Sequence, residues 1–459
     1  MNDIINLLGL EDYDLEVTKT EIIGRQKILS MKTRAVPQFC PLCESRMYSK
    51  GVRTRTIHHP ILQDNYQLII KLKQRRWRCT NPLCRYETDE HFRFVDRYRR
   101  MSNAADLLIV DSFRKLETSA SSIAEKFHTS DTNVLNIFDR FVDMKRLPLT
   151  DAISVDEVHL DMDPYCKYAL VIQDFHTSDP IDLIQSRRNN VTEPYFASIP
   201  AAERNSVKYL ISDMYNPYIA YVDKYFPNAV SVVDSFHVMQ WIVRELDNFI
   251  RKLIKSFKAR DEQRYRERTG DYAFDSDRPV HIPISDEVYL LQKYRWLLLS
   301  NVENMVYHTE PRYDNHFKCH MDTYSYDTKF FALHPHMKDY RELKEYYARF
   351  NLRNAGNPTT AAIEIESLID LYLNSGYDIF RRFGMLLIKY KEPIINSFVM
   401  VERIGPGGIY DSRLSNGPIE SINRKTKDLK RTGRGFRNFE HMRNRFLFAT
   451  RKNPSIIGY

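Results

Sequence analysis

Apolar and polar positions alternate through residues 1–37, around the stretches TEIIG and ILSMK, and predict short strands. Alternation resumes from Met47 to Arg78 with basic residues at the polar positions, which predicts a hairpin. From Met101 to about Arg146 the period lengthens: Leu107, Leu108, Val110 and Phe113, then Ile123, Ala124 and Phe127, then Val134, Leu135, Phe138 and Phe141 recur at helical spacing. Inside that stretch, Ser121 to Val134 reads as a helix, a tight turn and a second helix capped by Ser130 or Asp131. This is helix-turn-helix spacing, with a plain three-helix bundle as the alternative.

After Leu147 the period drops to two, in short apolar runs at Ile153–Leu160, Tyr168–Gln173 and Ile181–Gln185. A helix at Glu193–Glu203, a strand at Val207–Ser212, a helix at Pro217–Tyr225, a strand at Val230–Val233 and a long helix from Val238 follow. The order β-β-β-α-β-α-β-α is that of a ribonuclease-H-like core, a mixed sheet flanked by helices. Residues 259–404 are charged, rich in tyrosine and helical in period, with runs at Tyr340–Leu352 and Ala361–Leu373, and predict an all-helical insertion. Gly405-Pro-Gly-Gly marks a loop, and a basic helical pattern runs from Asn416 to the Phe439–Phe448 segment. The expected organisation is multidomain α/β: N-terminal strands over 1–37, a cysteine-bearing hairpin over 38–97, a helix-turn-helix over 101–147, the core over 150–258, the insertion over 259–404 and the last part of the core over 405–459.

Composition narrows the class. With 43% hydrophobic and 28% charged residues the chain is neither disordered nor collagen-like, and no apolar stretch is long enough to span a membrane. Its acidic start does not look like a secretory leader, so the cytoplasm is the expected compartment. The net charge of +8 is unevenly spread: residues 45–100 hold 14 Lys/Arg against 5 Asp/Glu, and residues 421–459 hold 11 against 2. Two basic regions on an otherwise acidic body predict a polyanion held at more than one place, and a phosphate backbone is the commonest such partner.

Four of the six cysteines fall in two close pairs, Cys40-Pro-Leu-Cys43 and Cys79-Thr-Asn-Pro-Leu-Cys84. Knuckles of this spacing let paired thiolates face one ion, and a hairpin between them makes a zinc ribbon. Four protein ligands leave no open position, so the zinc is expected to be structural. Cys166 and Cys319 are isolated, and His316, Cys319 and His320, adjacent on one element, make a weak metal candidate.

The strand Ser154-Val-Asp156-Glu157-Val-His-Leu carries an acidic pair in an apolar run, and a buried carboxylate there needs compensation. Asp213 and Asp234 each close another apolar run, at the carboxyl strand ends where open sheets place reactive groups. Asp156 with Asp213, or with Asp234, could share a divalent cation, and hard oxygen ligands suit magnesium or manganese. Glu420 lies on a capped helix with Arg424 and Lys427 on the same face, and alone would read as an ion-paired surface residue. Thr132 and Asn133, early in the second helix of the helix-turn-helix, stand where such a helix meets base edges.

Taken together, the cysteine knuckles, Val155-Asp-Glu157, Ser212-Asp-Met-Tyr-Asn-Pro-Tyr218, the run from Phe226 to Val238 containing Asp234 and His237, and Ser415-Asn-Gly-Pro-Ile-Glu-Ser-Ile-Asn-Arg424 resemble bacterial insertion-sequence transposases of the DDE class, most closely the ISL-three family. The resemblance implies a ribonuclease-H-like catalytic domain split by a helical insertion before the last acidic residue. It implies that Asp156, Asp213 and Glu420 are the metal-binding triad, with Glu157, Asp234 and His237 accessory and near the site. It further implies cleavage at terminal inverted repeats and strand transfer to target DNA, by a homodimer or larger synaptic complex at the bacterial nucleoid. Arg424, Lys425, Lys427, Lys430 and Arg431 would hold the cut strand's phosphates. Neither a membrane nor a small-molecule substrate is expected. A non-catalytic zinc-ribbon and helix-turn-helix regulator is the rival reading, and a metal-dependent nuclease without strand transfer a third.

Overall fold

The computed structural model describes residues 5, 7–10, 12, 14–60, 66–270, 280–433 and 435–457, so the ends of the expected 1–37 and 405–459 segments, and residues 61–65 and 271–279, lie outside it. In the N-terminal part, β1 (Leu15–Ile23) and β2 (Gln26–Thr33) form one hairpin, and β3 (Met47–His59) and β4 (Gln67–Cys79) form another. β2 runs parallel to β4, and β5 (Glu87–Asp89) adds to β4, so the segments expected at 1–37 and 38–97 share one sheet. The physical reason is the apolar face: Leu15, Leu29, Met31, Ile57, Ile70 and Leu72 meet Phe92, Phe94 and Val95 in one core, which neither hairpin could bury alone.

Three helices follow, α1 (Asn103–Ser112), α2 (Ala120–Lys126) and α3 (Asp131–Phe141). Each begins with a serine cap, and it is Ser130 whose hydroxyl accepts the Asn133 amide at 3.2 Å, while Asp131 is the first helical residue. His128, with φ of 51°, makes the left-handed turn between α2 and α3.

The central sheet is built from β6 (Ala152–Asp163), β7 (Cys166–Asp174), β8 (Pro180–Ile184), β9 (Tyr209–Ser212) and β10 (Val230–Val233) in the order β10-β9-β6-β7-β8. β6 is parallel to β9 and antiparallel to β7. The crossovers are α4 (Asn189–Ser198) and α5 (Ala201–Ser206), then α6 (Asn216–Tyr225); α7 (Ser235–Thr269) leaves the sheet. The single helix expected over 193–203 is two, because Ile199 before Pro200 takes an extended conformation (ψ 132°). Period two divides the strand residues between faces: Ile153, Val155, Leu170 and Ile172 pack on α4 and α6, whereas Val158, Leu160, Ala169 and Val171 pack on α1–α3 and the C-terminal helices.

α7 carries the chain through residue 258 without a break into the inserted region. Its helices are α8 (Asp286–Lys293), α9 (Trp296–Leu299), α10 (Thr323–Phe331), α11 (Met337–Arg353), α12 (Pro358–Leu373), α13 (Asp378–Lys389) and α14 (Lys391–Asn396), around a large aromatic core. The expectation of an all-helical insertion is corrected by two hairpins, β11 (Arg312–Asp314) with β12 (Cys319–Met321), and β13 (Met400–Gly405) with β14 (Gly408–Arg413). The latter crosses the expected 404/405 boundary, with Gly405-Pro-Gly-Gly as its turn and Gly408 at φ of 112°. Both are short and largely exposed, so they lack the apolar alternation that announces a strand. No helix among the described residues is long and apolar enough to cross a membrane.

The chain closes with α15 (Gly417–Thr432) and α16 (Phe439–Thr450), which lock α1–α3 to the central sheet. Arg445 on α16 is 2% exposed and donates to the carbonyls of Phe113, Lys115 (2.7 Å) and Thr118 (3.3 Å). Arg114 returns the contact to Phe448, Arg451 (2.9 Å) and Lys452 (3.2 Å). Arg445→Met keeps the stem but takes the recorded donor from the Phe113 and Thr118 carbonyls, and is expected to lower stability by about 2–4 kcal/mol in chemical denaturation. An unchanged denaturation midpoint would show that the two parts are held by apolar packing alone.

Candidate active site

The backbone register assembles the acidic residues. Ser154 is opposite Ile211 in the parallel β6–β9 pair, so Asp156 and Asp213, two residues further on, reach the same level. Val233 is opposite Ser212, which brings Asp234 into that row at the end of β10. α15 packs across the face of β6 that carries Asp156 and delivers Glu420 from its first turn. Glu157, one residue along β6, points to the other face. There Arg187 (2.6 Å) and Tyr218 (2.7 Å) bind its two oxygens.

The four acids have different surroundings. Asp156 is 8% exposed; burial, then the charges of Asp213, Glu157 and Glu420, push its carboxyl up to about 7. Asp213 and Glu420 are more open and face one imidazole: His237 Nδ1 is 3.0 Å from Asp213 Oδ1, without the angle of a hydrogen bond, and Nε2 is 3.3 Å from Glu420 Oε1. Asp234 has both oxygens engaged, one by the Phe236 amide at 2.8 Å as the cap of α7 and the other by the Asn416 amide at 2.8 Å. It ties α7 to the start of α15 rather than facing the other acids.

Two residues that the sequence did not single out complete the site. Asn416 donates Nδ2 to Asp213 Oδ1 at 2.8 Å, and Asn423 donates Nδ2 to Asp156 Oδ2 at 2.7 Å. Their signal was positional: they stand four before and three after Glu420, on the same helical face. Among the described residues no lysine or arginine pairs with Asp156, Asp213 or Glu420. The donors are neutral amides and one imidazole, so the cluster keeps its negative charge, and its hard oxygens fit magnesium or manganese.

A pH dependence follows. Asp156 binds its proton more tightly folded than unfolded, so cation-free protein loses stability as pH rises from about 4, the unfolded value, to about 7, and no further above that. Asp156→Asn is expected to be more stable than wild type above pH 7 by on the order of 2 kcal/mol without divalent cation, with the gap closing towards pH 5. Magnesium should narrow it by stabilising wild type only. Melting curves of both proteins across this range, with chelator and with magnesium, provide the check; a gap independent of pH would contradict the placement of Asp156.

The cysteine knuckles converge as well. Cys40, Cys43, Cys79 and Cys84 bring their sulfurs within 4.8 Å of one another, and among the described residues they alone form such a cluster of three or more ligand atoms. Glu44 and Arg85, just after each knuckle, take φ of 59° and 51°, and the Asn81 amide lies 3.4 Å from Cys79 Sγ. Ser45 lowers the Cys43 thiol to about 6, while burial pushes Cys79 up to about 12. The arrangement is compatible with tetrahedral zinc, which would supply the missing positive charge. His316 instead stacks on Tyr289 at 4.1 Å and pairs with Asp286 at 2.8 Å, so the His316, Cys319, His320 group does not converge.

The basic candidates lie mostly at the surface. Thr132 is exposed, and Asn133 is half-buried with Nδ2 on Thr129 Oγ1 at 2.9 Å. Arg424, Lys425, Lys427 and Arg431 are exposed and Lys430 half-buried; Arg424, Lys427 and Arg431 continue the helical face of Glu420, and Lys425 and Lys430 do not.

A mixed α/β domain with this row of carboxylates, completed by an acid from a late helix, is a DDE transposase domain: residues 153–446 match the family model described as a transposase, of the ISL-three type. The match covers more than half of the chain, and the chain belongs to the ISL-three family of transposases. It is also similar to the transposase for insertion sequence element IS1001 of Bordetella parapertussis, with 22% identity over 315 residues, covering 65% of this chain and 68% of that one.

Proposed function

We propose that this chain is the transposase of an insertion sequence, cutting DNA at the element's terminal inverted repeats and joining the freed ends to target DNA. The sheet order with three antiparallel and two parallel strands, closed by α15, is read as a ribonuclease-H-like fold. One observation supports the catalytic reading: Asp156, Asp213 and Glu420 come from three separate elements to one side of the sheet, near enough for Asp213 and Glu420 to raise the Asp156 carboxyl, and among the described residues no lysine or arginine pairs with any of them.

In this reading Asp156, Asp213 and Glu420 hold the divalent cations, magnesium or manganese. Bound there, a pair of such ions would supply an activated attacking oxygen and a stabilised leaving 3′ oxygen. Asn416 and Asn423 hold the two aspartates in place without adding charge. His237 sits between Asp213 and Glu420, with one ring nitrogen near each carboxylate. Arg424, Lys427 and Arg431, along the face of Glu420, position the phosphates of the scissile strand. Hydrolysis would release a 3′ hydroxyl, and the same carboxylates would then serve its attack on target DNA. The zinc-bearing sheet and the helix-turn-helix, through Thr132 and Asn133, recognise the ends. Cutting two ends together calls for a dimer or larger assembly.

The test is incubation of the protein with a duplex carrying the sequence that flanks its coding region, a target plasmid and magnesium. End-to-target joints, mapped by sequencing, are the expected product. Cleavage without joints would reduce the reading to a nuclease, and specific binding without cleavage would favour the regulator.

A further inference from the structure

The zinc-bearing sheet and the helix-turn-helix are joined by Asp96–Met101, and this joint is fixed to both sides. The His58 amide on β3 donates to Arg100 O at 2.7 Å, and the Ser102 amide returns to His58 O at 3.0 Å. Arg55 on β3 donates to Asp96 O (2.9 Å) and Arg99 O (2.7 Å). Arg99 pairs with the buried Asp106 of α1 at 2.9 Å, and Asp106 also binds Arg140 of α3. Asn133 reaches Met101 Sδ at 3.4 Å. No free linker separates the two modules.

On this joint Tyr98 is out of place by every folding criterion. Its φ is 64°, a region that a bulky side chain rarely occupies, and it is 70% exposed. Among the described residues only Arg97 attends the ring, with its guanidinium 5.0 Å from the centroid. Strain that orders an exposed aromatic contributes nothing to the core, and points to use in binding. Tyr98 lines two clefts at once: one of about 510 Å³ with Lys50, Arg53, Arg76 and Arg97, and one of about 360 Å³ with Arg100, His128 and Asn133. The first is positive in sum: its two carboxylates are Asp89, paired with Arg53, and Glu87, shared by Lys50 and Arg76, against four cationic side chains, of which Arg97 stands apart from both. Arg97 and Arg100 have no carboxylate within ion-pair distance among the described residues.

We infer that the two clefts form one continuous duplex-DNA contact surface, in which Tyr98 enters a groove between the segment held by the β3–β4 hairpin and the segment held by α3. The inference rests on the proposed recognition of the element's ends and adds a geometric rule: the rigid joint fixes the distance between the two contacted segments. Charge complementarity commits the surface to a nucleic acid backbone. The helix pair α2–α3 beside the ring, read as a helix-turn-helix, favours a duplex over a single strand.

The experiment is equilibrium binding and hydroxyl-radical footprinting of the full chain on a labelled duplex carrying the flanking sequence of its gene, against random duplex. Tyr98→Gly suits the backbone and removes the ring, so it should fold at least as well while binding the end about tenfold more weakly. Arg97→Ala should flatten the dependence of log affinity on log salt by about one phosphate contact. Inserting five or ten base pairs between the two protected segments should each weaken binding about a hundredfold, since the joint has no slack. Unchanged affinity in Tyr98→Gly, or recovery at ten inserted base pairs, overturns this inference while leaving end recognition intact. Failure of wild type to prefer the end duplex overturns both.

Discussion

Asp156→Asn, Asp213→Asn and Glu420→Gln are each expected to abolish strand cleavage, by about a thousandfold or more, while end binding survives. The size follows from what the carboxylates do: ions that stabilise charge in the transition state contribute several kcal/mol, and losing one ligand of a shared site forfeits most of it. The companion variant is Asp234→Asn. Its carboxylate accepts the amides of Phe236 and Asn416, so an asparagine there can keep the cap of α7 through Oδ1 but sets an NH2 donor against the Asn416 amide at the entry to α15. That is expected to cost about 1 kcal/mol of stability, with cleavage reduced far less than in the other three. Single-turnover cleavage, end binding and thermal midpoints on the four variants separate these outcomes. Loss of cleavage in Asp234→Asn with an unchanged midpoint, and its retention in Asp213→Asn, would move the second ligand to Asp234.

Removal of zinc is the second large effect. Structural zinc in small modules binds with an apparent free energy of about 10–16 kcal/mol, much of it folding energy. The far end of the β3–β4 hairpin is exposed on both faces in its Tyr48–Thr54 stretch, so the cysteine cluster is its main anchor. Cys79→Ser, or treatment with a strong chelator, should weaken end binding more than about a hundredfold, and leave the central sheet folded. One zinc per chain by elemental analysis should fall to none. Cys166→Ser and Cys319→Ser, away from the cluster, serve as controls and should retain both zinc and affinity. Full end binding by a zinc-free protein would contradict the account.

Much of this architecture was legible because its local signals agree. Apolar runs carrying Asp156 and closed by Asp213 and Asp234 marked strands and acidic residues together, and helical spacing with a cap at Ser130 or Asp131 marked the three helices that follow the hairpin. The knuckles were readable because ligand spacing is a local property. What escaped was long-range. Asn416 and Asn423 act across more than two hundred residues of sequence, on partners that no periodicity connects to them. Arg445 and Arg451 read as part of a basic tail, yet both are buried among backbone carbonyls, so a share of the C-terminal charge is structural rather than available to DNA. The choice between Asp213 and Asp234 was open in the sequence because both close a strand; it turns on which has oxygens to spare, and that is set by the amides of Phe236 and Asn416. The parallel pairing of β2 with β4 was hidden for the same reason, since alternation gives a face and not a neighbour.

The central claim is that the carboxylates gathered around Asp156 cut DNA. The most direct measurement is single-turnover reaction of the wild-type protein with a strand-labelled end duplex in magnesium or manganese, beside Asp156→Asn under the same conditions. The account predicts a break at the element boundary that leaves a 3′ hydroxyl, requires the divalent cation and disappears in the variant while binding remains. Tight, specific binding by wild type with no cleavage at any concentration of either ion, or cleavage that persists in Asp156→Asn, would contradict it.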